Sequence, residues 1–205
     1  MSDLGEIVAL IRRGELAVLP TDTVYGLVCT AFERQPAVDL YRLKGRDAIQ
    51  PTAVMFATVD KVLELVPGLG EREAAILRAL LPGPYTLILP NPARRFAWLT
   101  GERPESIGVR VPVLIGPTAE IVRGLGAVVA TSANLAGEPD PRLLADVPSA
   151  IVGGVVVALD GGELPGVPST VIDVTGAEPA VLRVGLGDPE AAVRRIVAEG
   201  RPPVQ

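Results

Sequence analysis

The chain has 205 residues, 48% of them hydrophobic and 21% charged, a balance that suits one globular domain with a sizeable core and argues against a disordered chain. It contains no histidine, which removes imidazole bases and histidine metal ligands, and one cysteine, Cys29, which excludes an intramolecular disulfide framework and fits a reducing cytoplasm. Its net charge of −5 opposes non-specific attachment to a nucleic-acid backbone, and no apolar run reaches the roughly 18 residues needed to span a bilayer.

In chain order, Met1 to Glu6 lacks the basic-then-apolar layout of a signal peptide, which again points to the cytoplasm. Leu4, Ile7, Val8 and Ile11 repeat at helical spacing, with Asp3 and Glu6 as a capping box and Gly14 as the stop. Strands are expected at Leu16–Leu19 and Val24–Cys29, and a helix at Gln35–Lys44, with Pro36 in its first turn and Gly45 ending it. A buried strand at Ala53–Ala57 precedes two helices, Val59–Leu65 and Glu71–Leu80. After the break at Pro82-Gly83-Pro84 comes a strand, Tyr85–Leu89; residues 91–105, rich in Arg, Pro and Gly, read as an exposed loop. A strand at Ile107–Val111, a short helix at Thr118–Arg123 and a buried strand at Ala127–Ala130 follow. Further strands are expected at 155–159, 170–174 and 180–184, and a last helix over 188–199 with Ala192, Val193, Ile196 and Val197 on its apolar face. No repeat or linker divides the chain, so residues 1–205 are expected to form one domain. Several strand connections are too short for a helical crossover, which implies an α/β fold on a mixed parallel and antiparallel sheet.

Five polar clusters sit at expected strand or helix ends. Leu19-Pro20-Thr21-Asp22-Thr23-Val24-Tyr25-Gly26-Leu27 delivers hydroxyls and a carboxylate to one corner, as a binding loop or as an ordinary turn. Lys44-Gly45-Arg46 either complements a helix dipole or offers two unlike cations to an anion; only Lys44 and Lys61 among the 19 cationic residues are lysines. Thr131-Ser132-Ala133-Asn134, after a buried strand, offers a hydroxyl and an amide to a ligand, or caps a helix or turn. Arg110 lies between apolar residues in Val109-Arg110-Val111-Pro112 and either snorkels from an edge or binds a carboxylate or phosphate. Pro168-Ser169-Thr170-Val171, then Leu182-Arg183-Val184-Gly185, complete the set.

Together and in this order, over residues 5 to 187, these strings and Pro82-Gly83-Pro84 resemble the YrdC/TsaC family, the L-threonylcarbamoyladenylate synthases. The resemblance implies a twisted mixed sheet with flanking helices around a concave cavity, in the short form without an extra C-terminal domain. It implies a reaction in which L-threonine, bicarbonate and ATP give threonylcarbamoyl-AMP and pyrophosphate. The product serves threonylcarbamoyladenosine modification at tRNA position 37. By the motif match, Lys44, Arg46, Ser132 and Asn134 surround the nucleotide phosphates and carry catalysis, Thr23, Arg110 and Ser169 hold threonine, and Ser106, Asp140 and Arg183 join the ATP contacts. Mg²⁺ is expected on the ATP phosphates, with no ligand from the protein. The implied partners are the threonylcarbamoyl-transferase complex acting on tRNA and a weak contact with tRNA itself, with no membrane. The chain departs from the family pattern at Asp47, Gln50, Ala136 and Val184, and the first two changes remove positive charge beside the phosphate site. Two other readings compete: a paralogous nucleotide-binding enzyme with another substrate, and a non-catalytic RNA-binding module. The module has little to stack bases on, with three Phe, three Tyr and one Trp.

Overall fold

In a computed structural model, residues 3–47 and 50–199 are described, so part of the expected 1–205 domain lies outside the described residues. Asp3 caps α1 (Leu4–Arg12) by accepting from Gly5 N–H, with Glu6 left as a charge in the first turn rather than as the second half of a capping box. The chain then enters β1 (Ala17–Pro20), turns, and returns as β2 (Tyr25–Thr30), paired antiparallel through Leu19 and Gly26. Helix α2 (Arg34–Lys44) ends at Gly45, whose φ of 65° is the left-handed conformation that a glycine adopts without strain. Next come β3 (Val54–Phe56), α3 (Val59–Leu65), α4 (Glu71–Leu80), β4 (Tyr85–Pro90) and β5 (Ser106–Arg110). Then follow α5 (Gly116–Leu125), β6 (Ala127–Ser132), α6 (Ser149–Val152), β7 (Val157–Ala158), β8 (Thr170–Asp173), β9 (Ala180–Arg183) and α7 (Pro189–Glu199).

Among the described residues, nine strands form one sheet in the order β7-β1-β2-β6-β3-β5-β4-β8-β9, parallel at β1/β7, β3/β5 and β4/β8 and antiparallel elsewhere. The mixed sheet is as the short connections predict. One face carries the main core: Leu27, Val54, Leu87, Val109 and Ile172 meet Leu40 of α2, Val62 of α3, Leu77 of α4 and Ile196 of α7. Each fully buried aliphatic side chain of this kind contributes about 1.5–3 kcal/mol. On the opposite face, Ile7 and Ile11 of α1 and Ile121, Val122 and Leu125 of α5 cover Ala17, Leu19, Val28, Met55 and Val128. That second cluster covers only part of the face; the rest stays open as a cavity.

Several expectations need correction. Residues 91–105 are not an exposed loop: Asn91, Phe96, Leu99 and Thr100 are buried, and Ala97–Leu99 forms a 3₁₀ turn. Phe96 stands edge-on to Phe32, Phe56 and Trp98, so an aromatic cluster pulls the segment inward. Helix α5 starts two residues before the expected Thr118, and α6 was hidden by its four-residue length. The strand expected at 155–159 shrinks to two residues. On α7, Ala192 and Ile196 are buried while Val197 is exposed. Among the described residues no helix is long and apolar enough to cross a membrane.

Candidate active site

The cavity holds about 330 Å³, within the size range of small-molecule sites. Strand alternation builds it: Gly26, Ala53, Gly108 and Ala130 point to the open face, while their neighbours Leu27, Val54, Val109 and Val129 point to the core. Their small size hollows the floor; a Cβ on Gly108 would come within 3.2 Å of Ala53 Cα. Thr86 and Ile88 of β4, Arg110 of β5 and Val171 of β8 complete the wall.

One corner is cationic. Lys44, in the last turn of α2, is 5% exposed and donates from Nζ to Ser132 O at 2.6 Å, Asn134 O at 2.7 Å, Asn134 Oδ1, and Ser132 Oγ at 3.4 Å. Burial, then the nearby Arg46 charge, push its ammonium down to about 8 against the opposing pull of Asp140. Ser132 Oγ donates to Asn134 Oδ1 at 2.6 Å, so Lys44, Ser132 and Asn134 form one knot. Arg46 donates from Nη1 to Thr131 Oγ1 at 3.3 Å, from Nη2 to Pro51 O at 2.8 Å and from Nε to Gln50 Oε1 at 3.0 Å, with its guanidinium 5.9 Å from the Tyr41 ring centroid. Arg46 and Ser132 line the cavity; Lys44 and Asn134 stand behind its wall.

The other corner joins the loop after β1 to β5 and β8. Arg110 donates from Nη2 to Asp22 Oδ1 and, at 2.7 Å, to Thr23 Oγ1. Asp22 Oδ2 accepts from Val113 N–H at 3.3 Å. Burial lowers the Arg110 pKa against the pull of Asp22, and its Nε is buried without a partner. Ser169 Oγ shares a 2.8 Å hydrogen bond with Thr86 Oγ1, and Arg183 donates to Ser169 O from Nε at 3.1 Å and Nη2 at 2.8 Å. Thr23, Arg110, Ser169 and Arg183 all line the cavity, as does Asp140.

The structure thus brings together the site residues singled out in the sequence, with one exception. Ser106 shares the open face of β5 but lies four residues, roughly 13 Å, from Arg110, and its hydroxyl donates to Arg103 O at 3.3 Å. Sequence reasoning missed Thr52, Thr86 and the contribution of Thr131, all on the cavity wall. A threonine in or beside an apolar strand is ordinary β-sheet composition, so no signal set them apart. Nor does any residue of 91–105 line the cavity.

Three arginines and one carboxylate, Asp140, line the cavity, which makes it locally cationic in a chain of net charge −5. An open α/β sheet with such a pocket on its uncovered face is of a class whose site suits small anionic ligands.

The comparisons with known proteins give the particular family. The Sua5/YciO/YrdC model, described as "Telomere recombination", matches residues 9–185, and the chain belongs to this family. The chain is 32% identical over 192 residues to a threonylcarbamoyl-AMP synthase of Pyrococcus abyssi, covering 93% of this chain and 56% of that protein. It is 33% identical over 180 residues to a putative threonylcarbamoyl-AMP synthase of Mycobacterium tuberculosis, covering 87% and 82%. It superposes on the crystal structure of P. abyssi Sua5 complexed with L-threonine with a TM-score of 0.82 and 31% identity, covering 96% of this chain and 57% of that one. The chain therefore spans somewhat over half the length of the P. abyssi proteins it matches.

Proposed function

We propose that this protein makes threonylcarbamoyl-AMP and pyrophosphate from L-threonine, bicarbonate and ATP. The observation that carries the reading is Arg110: a buried guanidinium with an unpartnered Nε at the cavity wall, flanked by Thr23, is suited to an amino-acid carboxylate. The threonine bound to the P. abyssi relative, and the activity for which two relatives are named, support the same choice.

In this reading Thr23, Arg110 and Ser169 hold threonine, with Arg183 bonded to Ser169, and Arg46 and Ser132 meet the ATP phosphates, with Lys44 and Asn134 fixing Ser132 from behind the wall and Asp140 acting on Lys44. Ser106, assigned to the ATP contacts by the motif match, is not among the residues lining this cavity. The threonine amine, once deprotonated, attacks bicarbonate with loss of water, or CO₂ derived from it without, and gives up a proton to form the carbamate. A carbamate oxygen then attacks the α-phosphorus, and pyrophosphate leaves. The cavity wall offers no histidine and one carboxylate, Asp140, so the residues contribute by proximity and by neutralising charge on the phosphates rather than by a dedicated base. A single lining carboxylate also suits Mg²⁺ that enters on the ATP phosphates. The adenylate would pass, in the cytoplasm, to the transferase complex that modifies tRNA.

Calorimetric titration with an amino-acid panel tests the substrate. L-Threonine is expected to bind about tenfold or more tightly than valine, which keeps the shape and lacks the hydroxyl, and than serine. Preference for another amino acid would favour the paralogue, and affinity for tRNA at physiological salt without any amino-acid binding would favour the RNA module.

A further inference from the structure

Two more buried hydroxyls share the condition of Arg110 Nε. Tyr41 Oη and Thr52 Oγ1 lie near each other but make no hydrogen bond of good geometry, although Tyr41 is 3% and Thr52 5% exposed. Native proteins rarely leave such atoms unpaired without a reason. The two residues flank the Arg46 segment: Tyr41 lies on α2, and Thr52 follows Pro51, fixed by its N–H donating to Leu99 O at 2.8 Å. Thr52 lines the cavity beside Arg46, Thr131 and Ser132. Tyr41 lies under the Arg46 guanidinium; burial raises its phenol pKa, while the Thr52 hydroxyl and Arg46 oppose the rise.

We propose that Thr52 is a further nucleotide-binding residue: its O–H donates to a phosphate oxygen held by Arg46 and Ser132, and its oxygen accepts the Tyr41 O–H. A phosphate oxygen at this point is only an acceptor, so it satisfies both orphaned hydroxyls in one chain, Tyr41 to Thr52 to phosphate. Tyr41 is then a positioning residue, holding the Thr52 hydroxyl with its donor aimed into the cavity. The proposal rests on the reading of this corner as an ATP site and adds the contact that selects a phosphate there.

Thr52→Val removes the hydroxyl at constant shape, and Thr52→Ser restores it. In calorimetry on the full chain, Thr52→Val is expected to weaken ATP and inorganic pyrophosphate about tenfold and to leave L-threonine unchanged, with Thr52→Ser recovering most of the loss. Tyr41→Phe is expected to weaken ATP by a smaller factor without lowering the melting temperature of the ligand-free protein. Unchanged ATP and pyrophosphate affinity in Thr52→Val, or equal losses for threonine, would overturn the proposal while leaving the ATP site intact. Failure of the unaltered protein to bind ATP or pyrophosphate would overturn the ATP site itself.

Discussion

Arg110 and Asp22 have side chains 13% and 11% exposed, so each is costly to leave alone. Removing one partner of such a pair costs about 3–5 kcal/mol, because the other charge is stranded. Arg110→Met is therefore expected to lose threonine binding and about that much stability by urea denaturation. Adding Asp22→Asn should restore most of the stability and none of the binding. If Arg110→Met alone proves as stable as the parent, the pair does not anchor this corner. The sequence disclosed Arg110, a cation between valines in an alternating strand, but not its partner, which lies 88 residues away and meets it only when β5 comes to lie near the loop after β1. The departure at Gln50 also acquires a meaning at this scale. Its amide oxygen accepts from Arg46 Nε, which a cation in its place cannot do, so lost positive charge is exchanged for an aimed Arg46.

The segment between β4 and β5 is where composition misled most. Arg, Pro and Gly read as a solvated loop, and the irregular spacing of Phe96, Trp98 and Leu99 gives no period to betray burial. Its organiser is Asn91, fully buried, which donates from Nδ2 to Arg95 O at 2.8 Å and Pro104 O at 3.1 Å and accepts Arg95 N–H at 2.9 Å. These bonds hold the backbone around Arg94 and Phe96, which adopt φ of 48° and 52°, a region unfavourable to side chains. Asn91→Ala removes three hydrogen bonds and empties a fully buried position, and is expected to cost about 2–4 kcal/mol. Hydrogen exchange should quicken across 91–105, while L-threonine affinity holds, because none of these residues lines the cavity and their tie to it runs through Leu99 O to Thr52 at the other corner. A matching loss of L-threonine affinity would instead make the segment part of the site. By contrast, α2 and its end at Gly45 were legible, because a first-turn proline, an apolar stripe and a terminal glycine are all local signals.

For the molecule as a whole, local pattern gave the strands and the mixed sheet, and the ordered motifs gave the family. The cavity was not legible from pattern alone. It arises because Gly26, Gly108 and Ala130 of three strands far apart in sequence, and Ala53 just before β3, face the same side of the sheet where α1 and α5 do not reach. Overall charge was equally uninformative: a chain of −5 concentrates Arg46, Arg110 and Arg183 around one cavity. The central claim is that this cavity joins an amino acid, bicarbonate and ATP. It is tested most directly by pyrophosphate release with Mg²⁺ and ATP, omitting threonine and bicarbonate in turn, with mass detection of the adenylate. The account predicts release only when both are present, with threonylcarbamoyl-AMP as product. Release that continues without threonine, or no release from folded protein that binds ATP, would contradict it.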